Sequence, residues 1–290
     1  MAETLSTRLK TLLNRRAAML VPGAYNALTA KMIADTGFEA AYVSGAGVTN
    51  AYLGLPDLGL ISLKDLADNV SAMRDVCDLP LIVDGDTGFG NAVNVHRTVR
   101  VLERAGANGI QLEDQVFPKK CGHFAGKGVI PLDEAAQKIR AAAEARRDPD
   151  FVIIARTDAR AIDGLQAALD RAHAFIEAGA DVTFVEAPTS REEIETIAKL
   201  PVPQLINLVH GGKTPVIEQA DLKKMGFGMV LYANATLQAA MLAMKGTLEH
   251  LKKVGSTTGW QDHLIPFDQR QVLVDKAKYD ALEKKYATAD

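Results

Sequence analysis

Residues 81–90 read Leu81-Ile82-Val83-Asp84-Gly85-Asp86-Thr87-Gly88-Phe89-Gly90. Three apolar residues give way abruptly to two carboxylates and three glycines. So short an apolar run, with no polar alternation, predicts a strand covered on both faces, as in a parallel sheet. Its acids stand at the C-terminal end. Downstream, Val93–Ala105 spaces its apolar residues as a helix does, Gly106 closes it, and Gly109–Glu113 is again an apolar run ending in an acid. This βα unit recurs. Similar runs lie at Met19–Pro22, Ala41–Ser44, Val152–Ala155, Thr183–Glu186, Gln204–Asn207 and Met229–Tyr232, with helical patterns at Leu63–Arg74, Asp133–Arg146, Gly164–Ala178 and Arg191–Ala198. Asp35-Thr36-Gly37, Arg104-Ala105-Gly106 and Glu177-Ala178-Gly179 each place glycine where a helix must stop before the next strand. Eight units predict a closed (β/α)8 TIM barrel of the α/β class. An open doubly wound sheet is the alternative, weakened because no GxGxxG follows the first strand.

The chain has 290 residues, 48% hydrophobic and 24% charged, with a formal net charge of -3. Such a balance supports one large packed domain and offers no overall positive field for nucleic acid or an anionic membrane. No apolar run approaches the roughly 20 residues of a membrane span. Leu5, Leu9 and Leu12 fall on one side of an amphipathic N-terminal helix rather than in a signal peptide. Two cysteines make no disulfide framework, so a reducing, cytoplasmic setting is expected. The catalytic barrel is assigned to residues 1–254, ending in a long helix at Asn234–Val254. Residues 255–290 form an extension of the same domain: a loop at Gly255–Pro266 and a final helix at Phe267–Tyr286, which must pack on something beyond the barrel.

In a TIM barrel the chemistry sits at the C-terminal strand ends. Here those ends carry Ser44-Gly45-Ala46-Gly47, Asp84-Gly85-Asp86, Glu113-Asp114, Arg156-Thr157-Asp158, Glu186 and Asn207. Asp84, Asp86 and Glu113 would raise one another's pKa unless a cation neutralised them, and an oxygen-only donor set suits Mg2+ or Mn2+. Asp57 is a fourth candidate, acting through water. The alternative is that some of these acids cap helices or pair with Arg156. Gly85, Gly88 and Gly90 permit tight turns or a close approach to ligand. The loop Pro118-Lys119-Lys120-Cys121-Gly122-His123 sets a thiol among cations, which lowers its pKa and suits it to proton transfer. Gly122 would let that loop close over substrate, although a plain basic loop with an incidental cysteine has the same composition. Arg156 could bind a carboxylate or steady developing negative charge. Cys77 reads as structural. His96, His173, His250 and His263 read as surface or packing residues, and His210 as a weak substrate contact.

Together these stretches resemble the isocitrate lyase/phosphoenolpyruvate mutase superfamily. The resemblance rests on Lys119-Lys-Cys-Gly-His123, Ser44-Gly-Ala-Gly47, Leu53-Gly-Leu-Pro-Asp57, Asp84-Gly-Asp-Thr-Gly-Phe-Gly90, Glu113-Asp-Gln115 and Ile154-Ala-Arg-Thr-Asp158, spread over nearly the whole chain. The short length is similar to the 2-methylisocitrate and 2,3-dimethylmalate lyase branches. The resemblance implies a carbon–carbon lyase that binds Mg2+ through Asp84, with Asp57, Asp86 and Glu113 assisting. It implies that Ser44, Gly45 and Ala46 hold the 2-oxo acid by their backbone, that Arg156 contacts it, and that Cys121 protonates the departing carbon. Lys119, His123, Lys120 and Gly122 would complete the closed loop, and Glu186 and Asn207 would face the substrate. It further implies a homotetramer, a dimer of dimers exchanging the C-terminal helix.

After the signature comes Phe124-Ala-Gly-Lys127, closer to dimethylmalate lyases and oxaloacetate acetylhydrolases. An ungapped alignment sets Phe267 where 2-methylisocitrate lyases use Arg, with Arg270 one turn away, and Tyr232-Ala-Asn234 replaces their Tyr-Pro. A small dicarboxylate is therefore favoured as substrate, with 2-methylisocitrate the alternative. Oxaloacetate hydrolysis and a catalytically silent binding barrel are further alternatives; phosphonate chemistry is disfavoured by the complete Cys121 signature.

Overall fold

A computed structural model of the chain describes residues 3–120 and 126–288. Eight parallel strands run β1 (Met19–Ala24), β2 (Ala41–Val43), β3 (Leu81–Asp84), β4 (Gly109–Glu113), β5 (Val152–Thr157), β6 (Val182–Val185), β7 (Leu205–Asn207) and β8 (Met229–Tyr232). Their order is β6-β5-β4-β3-β2-β1-β8-β7. The remaining seam, β6 to β7, is joined by a parallel bridge from Thr183 to Gln204. There the Thr183 N–H donates to Pro203 O at 3.2 Å and its hydroxyl to Gln204 Oε1 at 2.8 Å. This is the predicted (β/α)8 barrel, nearly closed by ladder hydrogen bonds.

The helices are α1 (Leu5–Asn14), α2 (Ala27–Asp35), α3 (Gly45–Val48), α4 (Leu63–Arg74), α5 (Ala92–Arg104), α6 (Leu132–Ala145), α7 (Arg160–Asp163), α8 (Leu165–Glu177), α9 (Arg191–Ile197), α10 (Gln219–Met225), α11 (Ala235–Val254), α12 (Phe267–Leu273) and α13 (Lys276–Tyr286). A π-helical turn, Thr49–Leu53, continues α3. Local chemistry sets their limits. Ser62 with Asp65, and Asn91 with Asn94, form reciprocal capping boxes at α4 and α5. Gly37, Gly106 and Gly179 all take positive φ (90°, 105°, 105°). The next N–H, on Phe38, Ala107 and Ala180, reaches back to Ile33, Leu102 and Phe175, the paired carbonyl satisfaction that lets a helix end without orphaned groups.

Alternate strand residues fill the barrel: Met19, Val21, Tyr42, Ile82, Ile154, Phe184, Leu205, Met229 and Leu231 form one cluster with Leu9, Leu12 and Leu13 of α1. Since α1 precedes β1, its leucines meet the strand starts and stopper the end opposite the acids. Each such fully buried side chain contributes about 1.5–3 kcal/mol. Two other clusters pack the outer strand faces on the helices. Cys77 is buried there, and burial raises its thiol pKa, as befits a structural residue.

The chain divides into two compact units, Met1–Leu237 and Gln238–Asp290, the division falling inside α11. No described residue of the second unit is buried. Its final helix is two helices, not the predicted single Phe267–Tyr286. Asp275 adopts φ 52°, and its N–H bonds to Val272 O. A short polar side chain tolerates that left-handed conformation better than an apolar one. Stacked rings of His250, Trp260 and His263 order this unit locally, with centroids 4.8 and 4.0 Å apart. No described helix is long and apolar enough to cross a membrane.

Candidate active site

The acids reach one mouth because β2, β3, β4, β5 and β6 are parallel neighbours, and each ends in a polar residue or is followed at once by one. Register places Asp84 beside Gln111, and Glu113 beside Arg156. Asp84 and Asp86 are 9% and 5% exposed, Glu113 5% and Glu186 1%. Asp86 has φ 47°, a strained setting for a residue with a side chain. Its N–H donates to Asp84 Oδ1 at 3.2 Å, and its carbonyl accepts from Glu113 N at 2.9 Å. The strain turns Asp86 back toward Asp84 rather than onward along the strand. Across from them, Ser44 caps α3 through its hydroxyl, and the Gly45 N–H points at Asp84 Oδ2, 3.3 Å away. A Cβ on Gly45 would lie 3.2 Å from Asp84 Oδ2 and 3.3 Å from Asp86 Oδ1. Only glycine leaves those two oxygens room for a further partner.

These groups bound a cavity that offers about 60 Å³ to the centres of water-sized groups, several times what one water needs. Its walls include Ser44, Ala46, Asp57, Asp84, Lys119, Lys120, Arg156, Glu186 and Asn207. Most sequence candidates thus converge. Asp86, Glu113 and Gly45 flank these walls. Cys121, Gly122 and His123 lie outside the described residues. His210 is exposed and lies off the cavity, whereas its neighbour Val209 lines it.

The electrostatics are dominated by buried negative charge. Burial, then the nearby Asp84 and Asp57, push Asp86 up to about 7 against the opposing pull of Lys119. Burial likewise raises Glu113 and Glu186, each only partly offset by Arg156. For Lys119, burial favours the neutral amine, yet the summed charge of Asp86, Glu113, Asp84 and Asp57 outweighs it and its pKa lies above the ordinary value. Arg156 behaves in the same way, held by Asp158, Glu113 and Glu186.

The donor set fits a divalent cation. It is all oxygen, deeply buried and short of positive charge. Glu113 Oε1 is buried with no hydrogen-bond partner, and Asp86 Oδ1 meets Lys119 Nζ at 2.7 Å without a hydrogen-bonding alignment. Lys119 Nζ also sits 2.5 Å from Asp57 Oδ1, so its ammonium stands in for a cation between the two acids. Among the described residues, no three acidic, histidine or cysteine side chains are drawn tightly enough together to hold a metal. Like charges converge no further than the intervening ammonium allows.

Three features escaped the sequence reading. Asp158, fully buried, binds Arg156 by two hydrogen bonds (2.9 and 3.1 Å) and Lys127 by one (2.5 Å). It is a closer partner for Arg156 than Glu113 (3.4 Å) or Glu186 (4.0 Å). Its own pKa is lowered, because Arg156 and Lys127 overcome the effect of burial. Tyr42 donates to Gln111 Oε1 at 2.6 Å, and Gln111 Nε2 donates to Asp84 Oδ1 at 3.2 Å, fixing that carboxylate from below. A glutamine and a tyrosine inside apolar strands were the visible signal. Finally, Asn234 accepts a hydrogen bond from Ser44 Oγ at 3.2 Å, placing the end of β8 on the cavity wall.

A family model described as phosphoenolpyruvate phosphomutase matches residues 9–252. A 2,3-dimethylmalate lyase of Eubacterium barkeri is 41% identical over 284 residues, covering 98% of each chain. A 2-methylisocitrate lyase of Aeropyrum pernix is 43% identical over 280 residues, 96% of this chain and 89% of that one. Among solved structures, a phosphonopyruvate hydrolase in complex with oxalate and Mg++ superposes with a TM-score of 0.88 at 31% identity, covering 98% of this chain and 99% of that one. With the same barrel and matches over nearly its full length, the chain belongs to the phosphoenolpyruvate mutase/isocitrate lyase superfamily.

Proposed function

We propose that the protein is a Mg2+-dependent carbon–carbon lyase that cleaves a 2-hydroxy dicarboxylate of the 2,3-dimethylmalate type into a 2-oxo acid and a simple carboxylate. The observation that carries this is the buried acid cluster of Asp84, Asp86 and Glu113 facing Arg156 in a chain 41% identical to a 2,3-dimethylmalate lyase. Asp84, Asp86, Asp57 and Glu113 would hold Mg2+, or Mn2+ in its place. When bound, such an ion supplies positive charge beside the oxygen that becomes the carbonyl.

The chain's own residues do the rest. The backbone of Ser44, Gly45 and Ala46 holds the 2-oxo acid end, and Arg156, braced by Asp158, presents its guanidinium to it. As the C2 hydroxyl passes its proton to a carboxylate lining the cavity and C2–C3 breaks, the electron pair is left on C3 beside the substrate's own carboxylate. That dianionic enolate is costly, and Lys119, Lys120 and His123 offset its charge. Cys121 then gives its proton to C3, which makes the cleavage effectively one-way. Gly122 belongs to the same signature, and Glu186 and Asn207 contact the substrate.

Phe267 favours a dicarboxylate over a tricarboxylate. In the second unit Arg270 lies over the Phe267 ring, 5.0 Å from its centroid, leaving 2-methylisocitrate as the second reading, which the Aeropyrum pernix relative supports. Side-by-side release of 2-oxo acid from the two compounds separates them. Faster turnover of 2,3-dimethylmalate upholds the proposal, and faster turnover of 2-methylisocitrate replaces it with the second reading. The second unit exposes Leu242, Leu248, Phe267 and Val272 at 66–75%. So much apolar surface on one short segment suits a homotetramer exchanging its C-terminal helices. We place the enzyme in the cytoplasm, acting on a small carboxylate without nucleic acid or membrane.

A further inference from the structure

One small group of oxygens at the barrel mouth has two claimants. Lys119 Nζ lies 2.5 Å from Asp57 Oδ1 and 2.7 Å from Asp86 Oδ1, and the residue is only 3% exposed. Those acids belong to the donor set assigned above to the divalent cation. An ammonium at this distance from a carboxylate oxygen occupies lone pairs that a metal ion, or a water bound to it, would otherwise use. Two cations at that spacing in a desolvated site also repel strongly. Crowding and mutual repulsion set the two cations in competition for these carboxylates.

We propose that Lys119 is a built-in competitor of the metal: the divalent cation binds by displacing the Lys119 ammonium from Asp57 and Asp86. This deepens the metal reading and rests on it. Three features of the chain support a designed exchange over an incidental ion pair. Lys119 follows the turn at Phe117-Pro118, so its position depends on the loop and not on a strand. Gln115 secures the loop at the next residue, its side chain accepting from Lys120 N at 3.0 Å and donating to Lys120 O at 2.8 Å, so Lys119 can swing while its neighbour stays anchored. Lys119 and Lys120 both line the cavity, so an ammonium driven off the acids still faces the space where an anionic substrate would sit. The exchange would order the assembly of the site. Metal entry frees a cation for the substrate carboxylate, and without metal the same cation is spent on the acids.

The test is Mn2+ binding to the full-length protein, followed by electron paramagnetic resonance of the free ion, for wild type, Lys119→Met and Lys119→Arg. Circular dichroism confirms that each is folded. Lys119→Met is expected to bind Mn2+ at least about tenfold more tightly, equivalent to about 1.4 kcal/mol. Lys119→Arg keeps the charge and is expected to remain near wild type. A second readout is the rise in melting temperature at saturating Mn2+, which is expected to be larger in Lys119→Met. Equal or weaker Mn2+ affinity in Lys119→Met overturns the exchange while leaving the metal site intact. Tightening in Lys119→Arg as well overturns it too, since charge would then not be the cause. Absence of Mn2+ binding in all three proteins overturns the metal reading and the exchange together.

Discussion

Asp158→Asn replaces a buried carboxylate by its neutral isostere and isolates the ion cluster that braces Arg156. In the native chain Asp158 is fully buried and accepts two hydrogen bonds from Arg156 and one from Lys127. Its N–H in turn donates to Asp114 Oδ1 at 3.0 Å. With the charge removed, Lys127 and Arg156 lose their shared anion, and for charge Arg156 must rely on Glu113 at 3.4 Å and Glu186 at 4.0 Å. Breaking a buried ion pair from one side costs about 3–5 kcal/mol. At about 2–4 °C per kcal/mol for a domain of this size, the melting temperature should fall by on the order of 10 °C. The pH dependence provides a second check. Asp158 has a lowered pKa in the fold, so its stabilisation is present above the unfolded carboxyl value of roughly 3.9. It is lost only as pH drops through the still lower folded value. The gap between variant and wild type should therefore be constant from neutral pH to about pH 5 and narrow below about pH 4. Calorimetry across that range measures both. A melting temperature within about 2 °C of wild type at pH 7 would refute the reasoning, showing that Glu113 and Glu186 hold Arg156 and that Asp158 is dispensable.

Three further outcomes are expected. Cys121→Ser should cut turnover by about two orders of magnitude or more while substrate still binds in titration calorimetry; near-normal turnover would remove Cys121 from the mechanism. Exhaustive chelation with EDTA should abolish 2-oxo acid release and added Mg2+ should restore it, whereas activity that survives chelation would end the metal assignment. Gly45→Ala places a methyl group 3.2 and 3.3 Å from the Asp84 and Asp86 oxygens. It should weaken Mn2+ binding by about tenfold or more, on the order of 1.4 kcal/mol, and unchanged affinity would show that those oxygens do not meet the ion.

Much of the scaffold could be read from residue order because its signals are local. Leu81–Asp84 and Gly109–Glu113 are strands as predicted, and Leu63–Arg74 is a helix bounded by its capping Ser62. The acids arrive together because parallel strands all point one way. What could not be read is tertiary. Asp158 meets Lys127 across 31 residues, and Lys119 meets Asp57 across 62; no spacing rule encodes such distances. The helix Gln219–Met225 was missed because it buries one residue, Leu222, too few to print a helical period. The break at Asp275 carries no glycine or proline to announce it. Strand 6 ends at Val185 rather than Glu186, since the positive φ of Ala187 already turns the chain, yet Glu186 still reaches the cavity.

The central claim is cleavage of C2–C3 with protonation of C3. It is tested most directly by incubating the protein with 2,3-dimethylmalate and Mg2+ in D2O and following the products by nuclear magnetic resonance. Pyruvate and propionate in equal amounts, with a single deuterium at C2 of propionate, is the expected result. Recovery of unchanged 2,3-dimethylmalate, under conditions where Mn2+ binding shows the site to be intact, would contradict the assignment.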